Sequence, residues 1–482
     1  MAGSGFFALD ATAQVQTWNL PYVRPAAYNY KAYYGASLNT YLGSLDSLYF
    51  KKELQKAWGF YKTNFILANG LVNHRRVTNG TVVGANEAVS EGQGYGMILA
   101  VILNDQATFN KIFEGANQYM WDNGKKSYFT WNWPAGAKGA ATDADLDIGL
   151  ALVFADALQK PGLWTAYNKN GITYNSRAME IIKSIKNAMT SQNYLLPGDN
   201  WGGDGLSNLN PSYFCTAWLR VFNAYQKEVD FSAVIENSYA VLAKVPKYSV
   251  GQAPDWCNQQ GQQASQAGSK PEQGLGMLSD GIRTPYRFAM DALWFNEPRA
   301  IAYCKNSKGT LTDWANTTNL RLVAAQMAQY NKNGTSVTET RGSFDNIGMW
   351  TTAVLASKDV AYSQAVLNTT VVGLISGTSA DHFGDQSLSD DKFYYKQSLG
   401  MLGLAVIGGQ FPNILADVKN AVALSPVISK SQSAPKAIRG YTPQWLTSEG
   451  FPTTSVSSGP DGATNPVYRN ALGRQVLPLS LH

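Results

Sequence analysis

The chain has 482 residues, 45% hydrophobic and only 15% charged, which is enough to bury a large core and excludes a disordered polymer. Its net charge of +5 is not a nucleic-acid footprint. Lys430, Lys436, Arg439, Arg469 and Arg474, set against Glu449 and Asp461, supply +3 of it beyond Ser425, and no basic cluster interleaves with aromatics. No apolar run reaches membrane-spanning length. His74, His382 and His482 make no metal-ligand spacing with Cys215, Cys257 and Cys304, so neither metal nor cofactor is expected. The cysteines allow one bridge plus a free thiol, or three buried thiols. Met1-Ala-Gly-Ser-Gly-Phe-Phe lacks the features of a signal peptide, so an exported form would carry a leader beyond this sequence.

Residues 1–44, rich in Tyr, Asn and Gly, read as an arm packed on the main body. From 45 to 424 the pattern is mostly helical, with apolar-periodic segments beginning near Leu45, Ser90, Ala107, Ala144, Ser176, Pro211, Phe231, Pro285, Leu311, Phe344, Val360 and Phe393. Twelve helices without a strand series predict an all-α domain of six helical hairpins. A closed double ring of six inner and six outer helices would bury all their apolar faces around one axis. Long connections such as Lys125–Ala141, Leu195–Asn210 and Pro246–Leu278 point to function. Residues 425–482 hold 7 of the 19 prolines and read as a basic tail or appendage.

Four segments can carry chemistry. In Ser90-Glu91-Gly92-Gln93-Gly94-Tyr95-Gly96-Met97 a carboxylate stands at a helix start, among glycines that permit close approach to the backbone. Glu91 could simply complement the helix dipole, which would lower its pKa; a general acid there would need burial to stay protonated. In Thr142-Asp143-Ala-Asp145-Leu-Asp147 the alternating acids suggest a calcium loop. Ile148 and Phe154 occupy the positions where an EF-hand needs Gly and Glu, so calcium is rejected. Thr142 or Asp143 could cap the helix with Asp145 and Asp147 solvated, but three acids in five residues exceed that need. In Ser279-Asp280-Gly-Ile-Arg283-Thr-Pro285-Tyr-Arg287, Asp280 precedes a helix start, where Arg283 and Arg287 could hold it ionised as a base or form a plain ion pair with it. Trp201 among glycines, and Trp131 and Trp133 in Phe129-Thr-Trp-Asn-Trp-Pro134, suit stacking on a pyranose face.

Residues 90–97 and Ala-Thr-Asp-Ala-Asp-Leu-Asp-Ile (141–148) resemble the two signature stretches of glycoside hydrolase family eight. Gly198-Asp-Asn-Trp-Gly-Gly203, Asn210-Pro-Ser-Tyr213, Pro254-Asp-Trp-Cys257, Asp280 with Arg283 and Arg287, and Tyr394-Tyr-Lys-Gln-Ser-Leu399 follow in family order between residues 45 and 412. The likeness is to the clostridial endoglucanase branch. It implies an (α/α)6 barrel and inverting hydrolysis of β-1,4-glucan by a secreted monomer. It also implies Glu91 as general acid, Asp280 as base, Asp143 as the acid gripping the sugar at the cut, and Tyr213 as a holder of the water. Trp131 and Trp201 correspond to stacking platforms, Arg283 to the partner of the base, and Tyr394, Tyr395 and Asp145 to further substrate contacts. An inverting pair needs room for water, with carboxyls about 6.5–9.5 Å apart. Ser279 departs from the Tyr that relatives commonly carry beside the base. Xylan is the alternative substrate, and a non-catalytic glucan-binding protein the alternative from another class.

Overall fold

The computed structural model describes residues 47–419 apart from 75–76, 79–80, 83–86, 123–125, 135–138, 201–205, 265–278, 315–328, 331–335, 338–343 and 360–392, and further on 453–456, 466–469 and 475–476. The expected arm over 1–44, Trp201 and the segment from Val360 lie outside the described residues. Chain contacts divide the described residues into two compact units, one up to Val418 and one beyond it. In the second unit, β5 (Thr453–Val456), β6 (Pro466–Arg469) and β7 (Gln475–Val476) form an antiparallel sheet.

Eleven α-helices of ten residues or more are described in the first unit. They are α1 (Ser47–Phe65), α2 (Ser90–Ile102), α3 (Gln106–Tyr119), α4 (Thr142–Gln159), α5 (Tyr174–Ala188), α6 (Thr216–Tyr225), α7 (Ser232–Leu242), α8 (Thr284–Phe295), α9 (Pro298–Trp314), α10 (Phe344–Ala356) and α11 (Phe393–Ile407). Burial sorts them into two kinds. Every residue of α2 except Glu91 is buried, and every residue of α4 except Gln159. A helix apolar all round belongs inside. By contrast α3 buries Phe109, Ile112, Phe113, Gly115 and Ala116, one face only, as an outer helix should.

Contacts trace the inner ring α2–α4–α6–α8–α10–α11 and bring α11 back against α2, closing it. Outside it, α3 packs on α2, α5 on α4, α7 on α6, α9 on α8 and α10, and α1 on α11. This is the (α/α)6 barrel, with its core between the two rings. Two helix starts differ from expectation. Pro211–Tyr213 is a separate 3-10 turn and α6 begins only at Thr216. The helix anticipated near Leu311 begins at Pro298, just after Asn296 ends α8 in the left-handed region at φ 54°.

Two short ladders brace the mouth of the barrel. β1 (Ala88–Val89) pairs antiparallel with β4 (Asn132–Trp133), and β2 (Trp121–Asp122) with β3 (Tyr128–Phe129). The first donor of α2, Ser90 N–H, is satisfied by Trp131 O at 3.0 Å, so the Trp131 loop caps the helix that presents Glu91. The glycines of this segment work as close-approach positions. A Cβ on Gly92 would meet the Tyr394 ring at 3.0 Å, and one on Gly94 would meet Asp147 Cβ at 2.9 Å.

Candidate active site

The N-terminal ends of inner helices converge at one end of the ring. Glu91 opens α2, Asp143 opens α4, Tyr213 precedes α6, Asp280 and Arg283 precede α8, and Tyr394 opens α11. Arg283 ends the 3-10 turn Gly281–Arg283, and Asp255 Oδ1 fixes that turn by accepting Gly281 N–H at 2.7 Å. The Arg283 side chain is buried and gathers the acids. Its Nη1 donates to Glu91 Oε2 at 2.6 Å, Asp143 Oδ2 at 2.8 Å and the Tyr95 hydroxyl at 3.0 Å. Its Nη2 donates to Asp280 Oδ1 at 2.7 Å. Only a guanidinium offers so many donors in one plane while keeping its charge.

Three carboxyls around one cation cannot all ionise without leaving net negative charge in a low-dielectric wall. Glu91 takes the strain. Burial raises it most, Arg283 opposes, Asp143 adds repulsion, and the result is a carboxyl pushed from 4.5 up to about 7. Asp143 is raised as well, by burial against the pull of Arg283. The lowering expected of the α2 dipole is therefore overturned. A helix end supplies about 0.3–1 kcal/mol, less than the roughly 1.4 kcal/mol of a single pH unit, and is outweighed by desolvation.

Exposure separates the acids by task. The side chains of Glu91 and Asp280 are 19% and 27% exposed, whereas that of Asp143 is 2%. Glu91 and Asp280 hang on the two terminal nitrogens of one guanidinium. Asp280 Oδ2 accepts from Asn210 Nδ2 at 2.9 Å. Tyr213 lies in the turn beside it, its ring centre 5.4 Å from the Arg283 guanidinium carbon.

The capping alternative for the 142–147 acids fails, since Ala141 is the N-cap residue of α4 and no side chain caps it. Asp145 is fully buried, and its Oδ1 accepts Phe129 N–H at 3.1 Å. Asp147 is fully buried too, and Arg287 pairs with it bidentately at 2.6 and 2.8 Å instead of reaching Asp280. The Tyr394 hydroxyl donates to Glu91 Oε1 at 2.7 Å, and that of Tyr395 to the carbonyl of Ser279. The Ser279 position thus contributes through its backbone, whatever its side chain. Trp131 is half-buried at the mouth. Cys215, Cys257 and Cys304 are three buried, unbridged thiols. Among the described residues no group of three or more His, Cys, Asp or Glu could hold a metal ion, and no helix is long and apolar enough to cross a membrane. Sequence reasoning missed Tyr95, Asn210 and Asp255. All three stood in family-like motifs, Tyr95 in 90–97, Asn210 in 210–213 and Asp255 in 254–257, which was the one available signal.

A double helical ring with clustered carboxyls and a buried guanidinium at one mouth supplies the paired acids that a glycoside hydrolase needs. The sequence profile described as glycosyl hydrolases family 8 matches residues 29–408, and the chain belongs to that family. Endoglucanase A of Acetivibrio thermocellus is 30% identical over 76% of this chain and 71% of its own. Endoglucanase C of Ruminiclostridium cellulolyticum is 27% identical over 75% of this chain and 72% of its own. Among solved structures, a β-1,3-1,4-glucanase from Paenibacillus sp. X4 matches with a TM-score of 0.60 at 21% identity, covering 76% of this chain and 93% of that one. Rex8A from Paenibacillus barcinonensis in complex with xylose matches at 0.61 and 18%, covering 79% and 98%. At such identities the structures establish the fold alone.

Proposed function

We propose that the chain is an endo-acting β-1,4-glucanase that hydrolyses with inversion, Glu91 serving as general acid and Asp280 as base. The observation that carries this is the Arg283 hub, where one solvent-reaching carboxyl is held up near 7 and another is hydrogen-bonded on both oxygens. Glu91 gives its proton to the glycosidic oxygen as the bond to the anomeric carbon breaks. A water attacks that carbon from the opposite sugar face and gives its proton to Asp280, with the Tyr213 hydroxyl helping to hold the water. Asp143 Oδ1 is buried and makes no hydrogen bond to the described residues, and Asp143 grips the sugar at the cut. Trp131 and Trp201 stack on flanking rings. The enzyme acts as a monomer, and because its substrate is a polymer too large to cross a membrane, it works outside the cell.

The xylan alternative is not favoured. A reducing-end xylose-releasing exo-oligoxylanase matches 43% of this chain in sequence at 25% identity, while the two endoglucanases match about three quarters of it. Proton NMR of early products from a soluble β-1,4-glucan tests the mechanism. α-Anomeric reducing ends should appear before mutarotation, and initial β product would refute inversion. Reducing-sugar release from carboxymethylcellulose, barley glucan and xylan in parallel tests the substrate, and faster release from xylan would overturn it.

A further inference from the structure

We propose that Asn210, braced by Ser212 and by the buried Asp147–Arg287 pair beneath it, is the positioning residue that fixes the Asp280 carboxylate. The inference rests on the reading of Asp280 as base. The groups facing Asp280 are Arg283 on its own turn, Glu91 from α2, Asp143 from α4, Tyr213 from the turn before α6, and Tyr395 from α11. Of the described residues, Arg283 and Asn210 are the two that hydrogen-bond its carboxylate, one on each oxygen. With each oxygen taking one donor, the plane of the carboxylate is set and a lone pair stays open toward a water.

The Asn210 amide has one possible orientation. Its Oδ1 accepts both Ser212 N–H at 3.0 Å and the Ser212 hydroxyl at 2.7 Å. Turning the amide over would set N–H against N–H at Ser212 and oxygen against carboxylate at Asp280. The same turn is gripped from below. Arg287 Nε donates to Ser212 O at 3.2 Å while both its terminal nitrogens hold Asp147. Trp218 Nε1 adds a bond to Asp147 Oδ1 at 2.7 Å. This fully buried pair ties α4, α6 and α8 to one backbone carbonyl. Buried pairs seldom out-stabilise apolar packing, so its placement under the Asn210 turn points to precision at the base and not to stability.

The test combines Asn210→Asp, Asn210→Ala and, in parallel, Asp280→Asn, all in the full chain. Asn210→Asp keeps the acceptor for Ser212 but sets a second carboxyl against Asp280. Two such groups cannot both ionise, so the acidic limb of kcat/KM should move up by about one pH unit or more. Asn210→Ala should lower kcat about 10- to 100-fold with KM within about twofold, the loss of a hydrogen bond to a charged group. A merely structural role would lower Tm and leave the pH profile in place. An acidic limb of Asn210→Asp that overlies the wild type overturns the positioning role. If Asp280→Asn is at the same time nearly inactive, the base assignment stands and only the positioning fails. If Asp280→Asn stays active, the base assignment falls first.

Discussion

Each ionised form of Glu91 has to share Arg283 with Asp143 and Asp280, and this has opposite consequences for stability and rate. Its folded pKa of about 7 lies above the usual 4.5, so the folded state binds the proton more tightly than the unfolded chain. The stability this provides is complete below 4.5, is lost as pH rises to about 7, and stays lost above. Glu91→Gln removes the penalty. The variant should melt higher than wild type above pH 7 and level with it near pH 4, while turnover falls at least roughly 10²–10⁴-fold. Thermal melts across pH check the first part, and a variant that melts lower at pH 8 contradicts it. Because the acid must carry its proton, wild-type kcat/KM should decline as pH rises through about 7. A rate still climbing at pH 9 would remove Glu91 from the role.

The helices of the inner ring bring the acids together because each offers its first turn to the same mouth. That much was legible in the sequence: Glu91, Asp143 and Asp280 each sat at or just before a recognisable helix start. The contacts among those starts were not. Asn210 lies 70 residues from Asp280 and Tyr95 lies 188 from Arg283, and no periodicity links residues so far apart. Arg287 could not be assigned between Asp280 and Asp147 without knowing that α4 faces α8. Nor could the direction of the Glu91 shift be read, since burial of a helix end depends on what closes over it. Close packing of α2 on α4 carries its own prediction. Gly94→Ala would press a methyl against Asp147 and should cost about 1–3 kcal/mol, seen as a lower Tm, with the Arg287 pair disturbed. An unchanged Tm would mean the two helices can part freely. At the neighbouring loop, Trp131→Ala leaves the backbone cap of Ser90 in place. If Trp131 stacks on sugars remote from the cut, KM for long glucans should rise with kcat spared. A large fall in Tm with unchanged KM would make it a packing residue instead.

Across the whole molecule, the ring is built from hairpins close in sequence but is shut by its two ends. Tyr394 on the last inner helix bonds Glu91 on the first, 303 residues away, and α11 lies against α2. Closure therefore has an order in time. A chain emerging from the ribosome can form α2 through α10 and bury most of their apolar faces with the hydroxyl for Glu91 still unmade. Long separations of this kind are slow to join, and domains of this size pass through partly packed states. On dilution from denaturant, helical circular dichroism should return first and glucan hydrolysis last, with Tyr394→Phe delayed no less in circular dichroism than wild type. Activity that recovers in step with helix content would mean the ring closes as early as its hairpins form. Hydrolysis is in this sense a clock for the final docking event, set by the one helix that the rest of the barrel waits for.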